Sequence, residues 1–143
     1  PEFQPMPSAE AWQMSNAPIM NMAVHKVALD LFLEAGMTSL LERSRRLTAY
    51  LETVVHLVAE RTATNLEILT PVDPTSRGCQ LSVVAHGYGR TLFDHLTAHG
   101  VVVDWREPAV IRMAPVPLYN TFEDVVRFGQ VLEAGLGEVA AKA

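Results

Sequence analysis

Residues 101–125 read VVVDWREPAVIRMAPVPLYNTFEDV, and the parsing of this stretch decides the fold. VVVDW (101–105) and AVIRMA (109–114) are short β-prone runs, and REP between them is a hairpin-like connection. APVPLY (114–119) carries two prolines and predicts a stiff loop. Asn120 then stands where an N-cap would, ahead of a helix over about 121–138. Phe122, Val125, Val126, Phe128, Val131 and Leu132 fall on its apolar side. One residue breaks the pattern. Arg112 sits between Ile111 and Met113, and strand alternation sends it to the opposite face. It is either a side chain on the solvated face or a buried cation that needs a partner. A third use is a fork for a carboxylate, because planar guanidinium donors match its two oxygens. The prolines behind Arg112 favour that use by reducing the freedom of the strand end.

Working upstream, YGRTLFDHLTAHG (88–100) predicts a short helix ending at Gly100. CQLSVVA (79–85) and NLEILT (65–70) read as strands, joined by the loop PVDPTSRG (71–78). Before residue 64 the period is helical. Ser39 and Glu42 are spaced as a capping box, and Leu40, Leu47, Leu51, Val54, Val55 and Val58 form one apolar stripe. Arg43, Arg45, Arg46 and Glu52 face elsewhere, so this long helix has one wet side. An earlier helix follows Asn16 as N-cap, with Pro18 in its first turn and Gly36 at its end. Apolar residues fill most of it, which predicts burial on more than one side. Residues 1–16 form a Pro-rich, extended lead-in to a domain over 17–143. The order α-α-β-β-α-β-β-α predicts an α+β fold: a small, mostly antiparallel sheet covered by helices and preceded by two long helices.

Composition narrows the function. The chain has 143 residues, enough for a core without disulfides, and about half of them are apolar (49%). A net charge of −5 with no basic run argues against nucleic acid as partner. No apolar run approaches the roughly 18 residues that span a bilayer, and PEFQPMPSAEAW (1–12) has no signal-peptide pattern. The lone Cys79 excludes an intrachain disulfide and fits a reducing, cytoplasmic setting. The chain begins without methionine, as expected of a processed chain or a piece of something longer.

Most candidate chemistry has a plainer explanation. His95 and His99 share a helix face, but no third metal ligand is evident, and surface histidines near a helix C-terminus are expected. HGYGR (86–90) lacks the length and lysine of a phosphate loop. No serine lies in a nucleophile elbow. Arg77, before Gly78 at a strand entrance, is a case similar to Arg112, a candidate carboxylate fork whose plainer reading is a turn with a surface charge.

Several stretches combine into a resemblance. WQMSNAPI (12–19), LDLFLEAGM (29–37), LTAYLE (47–52), ILTPVDPTSRGCQLS (68–82), LTAHGVVVDWREPAVIRMAPVPLYNTFEDV (96–125) and RFGQVL (127–132) resemble, in order, the C-terminal third of kynureninases. The resemblance implies the small domain of a pyridoxal-phosphate enzyme of the aspartate aminotransferase fold. Such enzymes are homodimers that hydrolyse L-kynurenine, or its 3-hydroxy form, to an anthranilate and L-alanine in tryptophan degradation. It also implies site residues. Arg112 falls on the arginine that binds the substrate α-carboxylate. Asn16 falls on an asparagine lining the cofactor and substrate pocket, which would add a second job to its capping. Trp12 and Ser15 match the flanking pattern without an assigned role.

The departures are informative. Lys26 and Lys142 are the only lysines, and neither has the context of the cofactor lysine, which lies upstream in the family's large domain. No catalytic residue is therefore expected in this chain, nor cofactor bound to it alone. Ser8 and Ala11 stand where the family pattern has glycines. Two other readings fit less of the chain: the small domain of an aminotransferase-like or cysteine-desulfurase-like enzyme, and a non-catalytic α+β dimerisation module.

Overall fold

The computed structural model describes residues 2–140, with side chains through residue 138. Lys142 lies outside the described residues. The chain divides into two compact units, Pro1–Met37 and Thr38–Ala143.

In the first unit a single 3₁₀ turn, Ala9–Trp12, interrupts the extended lead-in. Helix α1 spans Ile19–Ala35. Its N-cap is Pro18, whose carbonyl accepts the Met22 N–H at 2.9 Å, so Asn16 does not cap it. The reason is local. A residue before proline is pushed out of the helical region, so the helix cannot start early enough for Asn16 to reach its free N–H groups. Gly36 ends α1 at φ 80°, donating its N–H to the Phe32 carbonyl at 3.0 Å. The expected burial is also corrected: no α1 residue is buried, and Ile19 and Met20 are each 78% exposed. The apolar side chains point in every direction, so no one face gathers them against a core.

Helix α2 runs Met37–Thr62. It begins directly after Gly36, so Ser39 and Glu42 lie inside its first turns and the expected capping box is not a cap. Strands follow at Leu66–Ile68 (β1) and Leu81–Ala85 (β2), helix α3 at Gly89–Ala98, strands at Asp104–Arg106 (β3) and Val110–Met113 (β4), and helix α4 at Phe122–Ala140. The strands form one open antiparallel sheet in the order β1-β2-β4-β3. The α+β architecture is therefore the one the element order predicts. β3 starts later than its valines suggest. The Val101 N–H bonds the Leu96 carbonyl at 3.0 Å, so the chain there is still closing the end of α3.

Alternation sorts the sheet into two faces. Leu81, Val83 and Ala85 of β2 and Ile111 and Met113 of β4 are buried. They pack in one core with Leu47, Leu51, Val55 and Val58 of α2, Leu92 and Leu96 of α3, and Val125, Phe128, Leu132 and Leu136 of α4. Gly129 brings α4 close to α2: a Cβ there would lie 2.5 Å from Val54 Cγ1. The cap of α4 is a further correction. Thr121 Oγ1 accepts the Asp124 N–H at 3.2 Å, while Asp124 Oδ2 accepts the Thr121 N–H at 2.8 Å. This is a reciprocal capping box one residue beyond Asn120. Among the described residues no helix is long and apolar enough to cross a membrane.

Candidate functional site

The other face of the sheet carries the polar residues. Register puts Ser82 of β2, Arg112 of β4 and Asp104 of β3 in one row across three strands. Arg112 is half-buried, its side chain 31% exposed. Its Nε donates to Asp104 Oδ2 at 2.7 Å, and its Nη2 donates to the same oxygen. Arg106 approaches that oxygen with its Nε at 3.0 Å. The hydrogen bond from Arg112, and then the charges of Arg106 and Arg112, hold the Asp104 carboxyl below its ordinary range. The interaction is present above that range and is lost as pH falls through the lowered value. On the opposite side of Arg112, the Ser82 N–H donates to Thr70 Oγ1 at 2.8 Å, and Gln80 Nε2 donates to Ser82 Oγ at 3.2 Å.

The row borders a shallow depression whose rim includes Thr70, Pro71, Arg77, Ser82 and Arg106. Arg77 is not the surface charge the turn suggested. Its side chain is 6% exposed, pairs with Glu52 of α2 and donates through Nη1 to the Pro71 carbonyl at 3.1 Å. A buried cation needs such a partner, and the long α2 brings one from 25 residues away. Arg77 thus pins the 71–78 loop, with its charge spent on Glu52. Arg112 and Arg106 share one carboxylate, which leaves that cluster net cationic.

The loop behind β4 is held from two sides. Arg43 of α2 donates to the Pro117 and Asn120 carbonyls, each at 3.0 Å. Asn120 Oδ1 accepts the Val116 N–H at 2.8 Å. The proline-rich segment is therefore clamped by hydrogen bonds as well as stiffened by its rings. Arg43, assigned by its helical position to the wet side, supplies two of them.

Asn16, the other expected site residue, is exposed in the first unit, whereas Arg112 belongs to the second. Lys26, also in the first unit, is exposed on α1 with Nζ 2.7 Å from Asp30 Oδ2. His95 departs from expectation: its side chain is 8% exposed rather than on the surface. It stacks on His99 at 4.0 Å between ring centroids, in a notch left by Gly135. Among the described residues no His, Cys, Asp and Glu group could hold a metal ion.

Sequence reasoning missed Asp104. The signal was available: a hairpin centred on Pro108 places Asp104 opposite Arg112, as the register shows. The Arg77–Glu52 pair had no such local signal.

Comparison with known proteins identifies the frame. The family model for the kynureninase C-terminal domain matches residues 40–132. A kynureninase of Christiangramia forsetii is 51% identical over 136 residues, covering 95% of this chain and 32% of its own length. Kynureninases of Flavobacterium psychrophilum and Xanthomonas axonopodis pv. citri are 48% and 51% identical, covering 96% and 94% of this chain and 32% of each relative. The chain thus spans about a third of the length of the curated relatives it matches. With the family model covering α2 through most of α4, including the whole sheet and Arg112, this chain belongs to the kynureninase C-terminal domain family.

Proposed function

We propose that this chain is the small-domain part of a pyridoxal-phosphate-dependent kynureninase, acting in hydrolysis of L-kynurenine or 3-hydroxykynurenine to an anthranilate and L-alanine. The whole enzyme is then a cytoplasmic homodimer. Residues 1–16 form the lead-in and 17–143 the small domain, and a large domain carries the cofactor lysine. In this reading Arg112 binds the substrate α-carboxylate, and Asn16 lines the edge of the cofactor and substrate pocket.

The observation that carries the reading is the state of Arg112. Its guanidinium is half-buried on the polar face of the sheet, held along one edge, with Nη1 unbonded among the described residues. A planar donor fixed in this way suits a small carboxylate, and a fixed substrate contact helps align the reacting bonds.

The described residues do not by themselves make a cofactor site. Lys26 is exposed and engaged with Asp30. No chemical step is assigned to this chain's side chains; their role is binding and orientation.

The test is Arg112→Ala in the full-length enzyme. Loss of a charged, hydrogen-bonded contact predicts a fall in kcat/KM of about 10- to 100-fold, much of it through KM. Steady-state kinetics equal to wild type would remove Arg112 from the site.

A further inference from the structure

We propose that Asp104 is a positioning residue for Arg112, holding the guanidinium by its Nε–Nη2 edge and leaving the Nη1–Nη2 end for a substrate carboxylate. The proposal rests on the reading of Arg112 as the carboxylate binder and extends it to a second residue.

Donor accounting supports the division of labour. A guanidinium has five N–H groups. Asp104 Oδ2 takes one from Nε and one from Nη2. The two N–H groups of Nη1 and the second of Nη2 are left. One from each nitrogen makes the parallel pair that matches a carboxylate end-on. Asp104 therefore need not leave for a substrate to bind.

Charge accounting agrees. Asp104 is shared between Arg112 and Arg106, whose Nε is 3.0 Å from the same oxygen. Two cations and one anion keep the cluster attractive to a carboxylate. The anchoring aspartate is also held in its charged form, since both arginines lower its pKa, Arg112 most.

Register makes the contact a designed position of the hairpin. Asp104 and Arg112 are directly paired across β3 and β4, so the side chains emerge on one face as neighbours. Exposed ion pairs add little to stability. Converging two N–H donors on one oxygen instead restrains a long side chain that otherwise samples many rotamers. That restraint is spent before substrate arrives, which favours binding.

The experiment uses the full-length enzyme with Asp104→Asn, Asp104→Glu, Arg112→Ala and the Asp104→Asn/Arg112→Ala double variant. Steady-state kinetics are read together with competitive inhibition by L-alanine and by ethylamine, which lacks the carboxylate. Asp104→Asn is expected to raise KM and the L-alanine inhibition constant about tenfold, with kcat and ethylamine inhibition little changed. Asp104→Glu should recover most of the loss, and the double variant should be no worse than Arg112→Ala alone. If Arg112→Ala impairs binding while Asp104→Asn leaves KM and both inhibition constants as in wild type, the positioning role is overturned and the Arg112 reading stands. Equal weakening of L-alanine and ethylamine, or effects of the two single variants that simply multiply, also overturns it. If Arg112→Ala itself changes nothing, the reading beneath the proposal has failed. Asp104→Ser, carried in parallel, reads the same constants should the Asn variant not fold.

Discussion

Helices α1 and α2 follow one another in the chain and have opposite fates. α1 is the more apolar, yet none of its residues is buried. α2 carries arginines and glutamates along its length, yet buries Leu40, Leu47, Thr48, Leu51, Val55 and Val58. The difference is arrangement. In α2 the apolar residues recur at helical spacing and make one stripe, which the sheet and the other helices of its unit can meet. In α1 they surround the axis, so no single packing partner within the first unit can cover them. Apolar content measures how much a helix stands to gain by burial; periodicity decides whether its own chain can supply it.

Stability measurements can break that contrast. The largest effect is expected from Leu47→Ala, because Leu47 is fully buried at the centre of the stripe. Equilibrium urea unfolding of the chain should show a loss of about 3 kcal/mol from lost burial and the cavity left behind. A change under 1 kcal/mol would mean that the α2 stripe is not the core. Gly129→Ala comes next. Its new methyl group would meet Val54 Cγ1 at 2.5 Å, and overpacking of this kind costs about 1–3 kcal/mol. The same unfolding experiment should place it below Leu47→Ala, and a neutral result would show that α2 and α4 part easily. The smallest effect belongs to Met20→Ser in α1, within about 0.5 kcal/mol for so exposed a side chain. A loss comparable with Leu47→Ala would show α1 to be packed and would end the comparison.

The same physics separates what could be read in advance from what could not. The strands, the hairpin and the side of β4 on which Arg112 lies follow from period-two alternation and turn residues, which act over a few positions. The caps were less legible. Asn120 and Thr121 are both plausible N-caps, and the choice fell to Thr121 because Asp124 is spaced to return its hydrogen bond while Asn120 ties down Val116. Asn16 failed as a cap for a similarly local reason, the proline two residues later. Arg77 could not be judged locally at all. Whether a turn arginine is solvated or buried depends on what covers it, and Glu52 comes from a distant helix. His95 likewise became buried through Gly135 of α4, which leaves room for its ring.

The candidate site shows the same split. Motif and alternation singled out Arg112, and resemblance supplied its expected partner in the substrate. Its actual neighbours, Asp104 on one side and Ser82 on the other, come from register, which the hairpin sets for the first and the β2–β4 pairing for the second.

By itself the sequence determined the family, the α+β class, the order of elements and the face of Arg112, because each rests on residue identity and short-range periodicity. The tertiary structure alone decided that Arg77 pairs with Glu52, that Arg43 clamps the proline loop and that Ser82 flanks Arg112. Those contacts join residues far apart in the chain, and only the packed arrangement of helices and strands brings their charges and hydrogen-bonding groups within reach.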